Sequence, residues 1–304
     1  MGYRWILKAA TQGLVSRMPF GDAANTWMQF HVTHSLPMKP PSFSRRLERA
    51  ADHIDHFQTH GGGIPARVVE LGTGWHPVIP IALALCGVQQ VYAVDIHDLT
   101  SDRLLRHTLE QFRSIGFDRL KALQPCADER RYDRLLSLDG APLAVLNALG
   151  VTLITADARR LDLAANSIDG FTSNMTLEHI PGDVIAGIYR EFHRIGTPGA
   201  LMSHNIDMSD HYSHLDHTIT SYNFLRFGDA AWSVINNRLL YQNRLRLSDH
   251  LALTQQADWR VVDTVRRANN ATQLPRVPLA KRFRSYARAD LEVTGAWIIS
   301  RKDS

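Results

Sequence analysis

The strongest constraint on the fold of this chain comes from two apolar runs. Each run has the length of a strand and ends near a carboxylate. The first is Val68-Val69-Glu70-Leu71-Gly72-Thr73-Gly74, and the second is Val91-Tyr92-Ala93-Val94-Asp95. Glycines directly after a strand let the backbone approach a ligand without a Cβ clash. A carboxylate at the end of the next strand can accept hydrogen bonds from both hydroxyls of a ribose. Together the runs predict a nucleoside-binding α/β fold with its ligand at the carboxyl ends of the strands.

The residues around the first glycine turn select among nucleosides. A dinucleotide fingerprint has the form Gly-x-Gly-x-x-Gly, but here Pro77 stands at the third glycine position. The carboxylate of Glu70 would repel a pyrophosphate and favours a cationic ligand instead. S-adenosylmethionine carries a sulfonium and an ammonium group and no phosphate, so it fits this pattern better than a dinucleotide.

Four segments in order resemble the class I S-adenosylmethionine-dependent methyltransferases over residues 64–204. They are Glu70–Gly74, Val151–Ala158 with its Ala-Asp-Ala end, Ile168–Asn174, and Leu177-Glu178-His179-Ile180-Pro181, which is similar to the "LEHI" segment of small-molecule members. In the family, an acid at Asp157 faces the adenine amino group. We expect cofactor contacts from Glu70, Gly72, Thr73, Gly74, Asp95, Ile96, Asp157, Ala158 and Asn174.

Alternating strands and helices predict a Rossmann-like, doubly wound, mostly parallel α/β sheet. Its seven strands are expected at 66–71, 90–95, 151–155, 168–173, 200–204, 258–265 and 291–300. The family resemblance implies that the last strand is antiparallel. Helices are expected at 77–87, 101–114, 183–195 and 248–256, the last with Ser248 as its N-cap.

The chain divides into an N-terminal helical cap, residues 1–63, and a methyltransferase domain, residues 64–304. The cap should contain a helix over Ser44–His60 that ends at Gly61-Gly62-Gly63. Two long insertions, 116–150 and 205–247, interrupt the domain. Long loops in compact folds are usually functional, so we expect both to lie beside the cofactor and to cover the substrate.

Methyl transfer requires that the acceptor atom be held in line with the methyl group and the leaving sulfur. Asn174 at the end of the fourth strand is expected to orient the acceptor, and His179 and His204 are candidate bases because a free imidazole titrates near neutrality. Substrate contacts are expected from Trp75, His76, His211, His214, Tyr222 and Arg244. For each of these, ordinary packing or backbone hydrogen bonding is the competing interpretation.

Residues 204–217 hold four histidines and three aspartates. Such side chains bind zinc, iron or manganese, but the spacing matches no tight zinc motif. The competing interpretation is a polar lid whose histidines and aspartates hydrogen-bond one another. We predict no metal.

Composition limits the partners. The 34 Lys and Arg against 30 Asp and Glu give a net charge of +4 that is spread along the chain, so no nucleic-acid partner is expected. Two cysteines, Cys86 and Cys126, are too few for a metal framework or a disulfide scaffold and are typical of a reducing cytoplasm. The longest apolar run, Val78 to Val88, is too short to span a membrane. The oligomeric state stays open.

The pattern as a whole predicts transfer of a methyl group to nitrogen or oxygen of a small molecule, in specialised biosynthesis. Asn174 is followed by Met175-Thr176, not by the Pro-Pro-Tyr of enzymes that methylate adenine N6 or glutamine. The alternatives are an RNA- or protein-modifying methyltransferase and a non-catalytic S-adenosylmethionine-binding partner subunit. A nicotinamide-dependent enzyme is a further alternative, which Pro77 and Glu70 oppose.

Overall fold

The computed structural model describes residues 5, 6, 11, 36–214, 216–237, 239, 241–269 and 271–303. Of the predicted N-terminal cap, residues 1–63, the first 35 residues lie outside the described residues, except Trp5, Ile6 and Thr11. The predicted methyltransferase domain lies almost entirely within them.

A single seven-stranded sheet organises the described chain, in the order β3-β2-β1-β4-β5-β7-β6. Its strands are Arg67–Leu71 (β1), Gln90–Asp95 (β2), Val151–Thr155 (β3), Ile168–Asn174 (β4), Gly196–Asp207 (β5), Trp259–Arg267 (β6) and Gly295–Lys302 (β7). The first five are parallel, whereas β7 runs antiparallel between β5 and β6. The predicted doubly wound α/β fold is confirmed.

Helices cover both faces of the sheet because successive side chains of a strand point to opposite sides. Val68 of β1 packs in the core under one layer, and its neighbour Val69 packs in the core under the other. The first layer contains Pro40–Gly61 (α1), Val78–Leu85 (α2), Asp102–Ile115 (α3), Phe117–Leu123 (α4), Glu129–Ser137 (α5) and Pro142–Ala148 (α6). The second layer contains Gly182–Ile195 (α7) and Leu247–Gln256 (α9). The short helix Asp229–Ile235 (α8) lies between them in the chain and packs in a separate cluster. The last helix is Arg288–Leu291 (α10).

Helix α1 begins at Pro40, four residues before the predicted start. Proline is favoured in the first turn because its missing N–H would have no partner there. The helix ends where Gly62 takes the left-handed conformation, φ 82°, and donates its N–H to the Phe57 carbonyl. Its buried face includes Leu47, Ile54 and Phe57 and places α1 across the sheet.

The segment 116–150 lies at the opposite edge of the sheet from the predicted site, which corrects the expectation that it covers the substrate. It forms α4, α5 and α6, of which α5 packs against α2, α4 against α1, and α6 against α3 and β3. Arg131 donates to the carbonyls of Ala84 and Val88 at the carboxyl end of α2, and the Asp128 N–H donates to Leu85. In a parallel sheet, a helix that follows a strand ends at the amino edge of the strands, so this insertion buttresses the far edge.

Two element boundaries also differ from the sequence prediction. Strand β5 spans twelve residues because its polar members Ser203, His204 and Asn205 are paired on both sides, with β4 and β7. Helix α9 begins at Leu247 rather than after Ser248. The carboxylate of Asp249 accepts the Arg246 N–H, and the Ser248 hydroxyl donates to Asp290 instead of capping the helix.

Residues 208–246, here called the cover segment, leave the carboxyl end of β5 and lead into α9. The cover segment contains the 3₁₀ turns His211–His214 and Asn223–Arg226 and helix α8, and it packs its own aromatic cluster against residues 271–291. Further 3₁₀ turns lie at Leu177–His179, Ala271–Arg276 and Lys281–Phe283. Among the helices that the structure describes, none has the length and hydrophobicity needed to traverse a bilayer.

Candidate active site

The turn after β1 is built on two glycines in the left-handed region. Gly72 has φ 84° and Gly74 has φ 66°. A Cβ on Gly72 would collide with the side chain of Thr176, whereas a Cβ on Gly74 would meet open space. Gly74 donates its N–H to Asp95 Oδ2 at 2.9 Å. The turn is therefore fixed between the ends of β2 and β4, and it leaves free volume where a ligand can approach the backbone.

Glu70 and Asp95 place negative charge at this turn. Glu70 is buried, and its Oε2 accepts the Thr73 hydroxyl at 2.5 Å. Burial raises the pKa of Glu70 to about 7, with the nearby charge of Asp95 acting in the same direction. The Thr73 hydrogen bond and the Arg46 guanidinium oppose that rise in pKa. A cationic ligand at the turn would stabilise the charged form of both carboxyl groups.

The other predicted cofactor residues lie at neighbouring strand ends. Ile96 follows β2 with 62% of its surface exposed, which leaves an apolar side chain free to cover a ring. Asp157 follows β3 and forms an ion pair with Arg159 at 2.5 Å, and this hydrogen-bonded partner lowers the pKa of Asp157. The side chain of Ala158 is buried in the second core cluster, so only its backbone can face a ligand.

A polar network surrounds Asn174 at the end of β4. The Asn174 side chain contacts His53 Nε2 at 2.6 Å, and the other ring nitrogen of His53 contacts the Ser203 hydroxyl at 2.9 Å. His56 reaches the same hydroxyl, also at 2.9 Å. Burial, reinforced by His56, lowers the pKa of His53 well below its usual value, which keeps the ring neutral. The network holds Asn174 in one orientation.

His53 and His56 were not among the site residues predicted from the sequence. Both lie on α1, more than a hundred residues from Asn174 in the chain. The available signal was their spacing of three residues, which places two imidazoles on one face of a predicted helix.

The turn 174–176 connects the glycine turn to a cavity of about 560 Å³. Thr176 contacts Gly72, and Met175, in the left-handed region at φ 48°, lines the cavity. A non-glycine residue with positive φ is uncommon and concentrates at functional sites. The cavity walls come from α1, the ends of β5 and β6 and the cover segment, and include Arg49, Asp207, His214, Ser221 and Arg267.

Of the predicted substrate residues, His214 lines this cavity. His211 lies beside it, with its Nε2 3.4 Å from Asp207 Oδ2. Trp75 is half-buried at the glycine turn. None of these positions decides a role in binding, so the assignments stay predictions.

Three other predicted substrate residues have structural roles, which corrects those assignments. His76 is buried and accepts the Met38 N–H while its Nδ1 contacts Thr108. Tyr222 is buried, and its hydroxyl donates to the carbonyls of Asn269 and Glu292. The buried guanidinium of Arg244 pairs with Asp229 and lies over the ring of Trp232. None of the three presents a polar group to the cavity.

The predicted base His204 is also corrected by its position. Its side chain is fully buried on the α7 face, stacked on Tyr189 with ring centroids 5.4 Å apart, and its Nδ1 contacts Ser173. Burial lowers the pKa of His204 to about 3. A ring enclosed in the core cannot reach an acceptor in the cavity.

His179, the other predicted base, lies in the 3₁₀ turn after β4. Its Nδ1 lies 2.7 Å from the Tyr241 carbonyl, and because a carbonyl only accepts, Nδ1 carries the proton and Nε2 is the free acceptor. The pKa of His179 is lowered by burial and by His211. His179 is not among the residues that line the cavity.

Residues 113–203 match the model of a methyltransferase domain family. The matched segment contains β3, β4, the turn 174–181, α7 and most of β5, and so includes three of the four segments that carry the resemblance. This match agrees with the predicted resemblance to the class I S-adenosylmethionine-dependent methyltransferases over that part of the chain. The antiparallel β7 between β5 and β6 is the usual arrangement of that fold.

Solved methyltransferases are similar to the chain at low identity. One from Methanosarcina mazei is 14% identical, with a TM-score of 0.45, covering 78% of this chain and 92% of its own. A sarcosine dimethylglycine methyltransferase, so described provisionally, from Galdieria sulphuraria is 12% identical, with a TM-score of 0.46 and coverages of 84% and 86%. No curated protein matches the sequence.

The residues at the ends of β1 and β2 fit the predicted cofactor, S-adenosylmethionine. Gly74 leaves space at the backbone, Glu70 and Asp95 provide carboxylates, and Ile96 offers an exposed apolar side chain. The expected assignment of ribose to Asp95 and of adenine to Asp157 stays a prediction.

Proposed function

We propose that the methyltransferase domain methylates a nitrogen or oxygen of a small molecule held in the cavity beside Asn174. The observation that carries this proposal is the turn 174–176, which contacts the glycine turn through Thr176 and lines the cavity through Met175. The cavity lies at the carboxyl ends of the strands, where ligands of open α/β sheets bind.

The size and walls of the cavity favour a small acceptor. Its volume of about 560 Å³ falls within the range of small-molecule sites. Cover-segment residues close one side, which suits an enclosed ligand better than a polymer chain. The wall is polar, with guanidinium groups from Arg49 and Arg267 and the carboxylate of Asp207. We infer that the acceptor carries polar groups. We also propose that the reaction belongs to specialised biosynthesis.

Positioning provides the proposed rate enhancement. The cofactor supplies an activated methyl group when bound. Asn174, held by His53, would orient the acceptor, and the hydrogen bond from the Met175 N–H to the Asn205 carbonyl fixes the turn beneath it. Holding two reactants in line converts a bimolecular step into an effectively unimolecular one. His204 is enclosed in the core and His179 does not line the cavity, so neither predicted base is assigned that role. His214 lines the cavity, but its Nε2 pairs with Asp207.

Calorimetric titration with S-adenosylmethionine, S-adenosylhomocysteine and NAD, followed by a screen of methyl-label transfer to amine and hydroxyl compounds, tests the proposal. We expect binding of the two sulfur nucleosides, no binding of NAD, and label transfer that Asn174→Ala reduces. Asn147→Ala, at an exposed position of α6, is the matched control. Label transfer to RNA or protein but to no small molecule would contradict the small-acceptor proposal, and cofactor binding without any transfer would favour a non-catalytic partner subunit.

A further inference from the structure

Glu178 is a buried carboxylate that the proposed reaction does not use. Its side chain is 3% exposed, and neither carboxylate oxygen has a hydrogen-bond partner among the described residues. Arg267 interacts with it electrostatically but donates its Nη2 hydrogen bond to Asn205. Burial raises the pKa of Glu178 well above its usual value, although the backbone N–H groups of Glu178 and Asp207 oppose that rise. A buried carboxyl group without a side-chain partner is costly, so this side chain points to a ligand.

Two imidazoles lie beside that carboxylate. Each of the three residues offers one ligand atom, a carboxylate oxygen from Glu178 and a ring nitrogen from His179 and from His211. These three atoms lie within 4.8 Å of one another, and the centroids of the two imidazole rings are 5.0 Å apart. An ion at their centre would lie at most about 2.8 Å from each atom, so a shift of less than about 1 Å would bring all three to zinc–ligand distances.

The surroundings of both rings are those of metal-ligating histidines. His179 donates Nδ1–H to the Tyr241 carbonyl, which fixes the tautomer with Nε2 free. His211 has the Asp207 carboxylate 3.4 Å from its Nε2. Histidine ligands regularly have such carbonyl or carboxylate partners, which orient the ring and raise its basicity.

We propose that Glu178, His179 and His211 bind a divalent transition metal ion, and that the ion clasps the cover segment to the edge of the sheet. Two imidazoles and one carboxylate select zinc, iron or manganese over magnesium or calcium, and zinc binds most tightly of those three. Glu178 and His179 belong to the turn after β4, whereas His211 belongs to the cover segment, so one ion bridges the two. This proposal replaces the expectation that the chain binds no metal.

Neighbouring contacts already bring the two parts together. The Asn243 side chain donates to the carbonyls of Leu177 and Ile180 at 2.7 Å each, and the Asn243 N–H donates to the Glu178 carbonyl. These bonds hold the far end of the cover segment on the turn. The metal would add a direct link between the turn after β4 and the beginning of the segment, where His211 lies.

Zinc titration of the chelator-treated protein tests the site. We expect one saturable zinc site by calorimetry and, with Co²⁺ as a probe, visible absorption bands from the bound ion. Glu178→Gln, His179→Ala and His211→Ala should each weaken zinc binding by at least about 100-fold. His217→Ala, an exposed histidine of the same segment, is the matched control and should bind as the parent protein does.

A folding defect is distinguishable because the His179 side chain lies at the surface, where neighbouring groups desolvate its ring but do not enclose it, so its loss leaves no cavity in the core. Thermal melts in the presence of chelator should agree for His179→Ala and the parent protein. A zinc site that survives all three substitutions, or that His217→Ala removes equally, would overturn the assignment.

Limited proteolysis tests the clasp. Zinc should slow cleavage within residues 208–246 of the parent protein and leave the cleavage rate of His211→Ala unchanged. Zinc binding to Glu178, His179 and His211 without any change in cleavage would overturn the clasp. Neither measurement depends on methyl transfer.

Discussion

Asp95 organises the cofactor turn through both of its carboxylate oxygens. Oδ2 accepts the Gly74 N–H at 2.9 Å, and Oδ1 accepts the His97 N–H at 3.1 Å. One side chain therefore fixes the backbone on both sides of the predicted ribose position, so its substitution should affect binding before it affects folding.

Asp95→Asn should weaken S-adenosylmethionine binding by about 1.5–3 kcal/mol, the usual contribution of hydrogen bonds to a charged group. Calorimetric titration measures this change. Asp98→Asn, at an exposed acid three residues on, is the control and should bind normally. Equal affinity of Asp95→Asn and the parent protein would refute the ribose assignment.

Gly72 and Gly74 should tolerate alanine very differently. At Gly74 the added methyl group meets open space, so Gly74→Ala costs only the left-handed strain of about 1–2 kcal/mol. At Gly72 the methyl group also collides with Thr176, so Gly72→Ala should lower the free energy of unfolding further and weaken cofactor binding. Urea unfolding of the two variants makes the comparison, and equal losses would show that Thr176 moves aside freely.

At this scale the sequence was informative where the residues lie close together in the chain. Glu70, Gly72 and Gly74 form a short linear pattern whose chemistry can be interpreted without a structure. The contacts of Asn174 with His53 and of His179 with Tyr241 join residues 121 and 62 positions apart. Such pairings depend on how helices and loops pack on the sheet, and periodicity carries no information about them.

The helices and strands followed the sequence where a single periodicity governs them. Apolar runs between glycines marked β1 and β2, and apolar spacing marked the buried face of α1. The insertion 116–150 was misplaced because the sequence showed its length but not the edge of the sheet at which it emerges. Its helices bury Leu120, Tyr132 and Leu146 in the first core layer.

Arg131 provides the test of that location. Its guanidinium binds the carbonyls of Ala84 and Val88, which end α2 at the edge away from the cofactor turn. Arg131→Ala should lower the free energy of unfolding by about 1–3 kcal/mol and leave cofactor affinity unchanged. The exposed neighbour Arg130 supplies the control variant, Arg130→Ala. Reduced cofactor affinity at unchanged stability would place the insertion beside the site after all.

The molecule as a whole carries neutral histidines in its interior. Burial lowers the pKa of His204 and of His250 to about 3, and neighbouring cations or imidazoles add to the effect. In the unfolded chain these rings titrate near 6.5. The unfolded state therefore binds more protons between pH 6.5 and 3, and the native state loses stability as the pH falls through that window.

The parent protein should lose about 1.4 kcal/mol of stability per buried histidine between pH 7.5 and 5.5. His250→Gln should reduce that pH-dependent loss by one such increment, whatever its effect on stability at pH 7.5. Urea unfolding at the two pH values measures the difference. The control is His97→Gln, which removes an exposed histidine and should leave the pH dependence of stability as it is in the parent protein. An unchanged pH dependence in His250→Gln would contradict the prediction.

Two buried arginines determine how the cover segment can move. Arg246 donates to the carbonyls of Met208, Leu291 and Val293, and Arg244 donates to those of Phe224 and Phe227. Met208 and Arg246 are the first and last residues of the segment, so its two ends are joined at one point. A loop closed in this way has no hinge about which to swing. Acceptor entry and product exit then require local unfolding of the loop, and their rates should follow the amide exchange rates of residues 209–235.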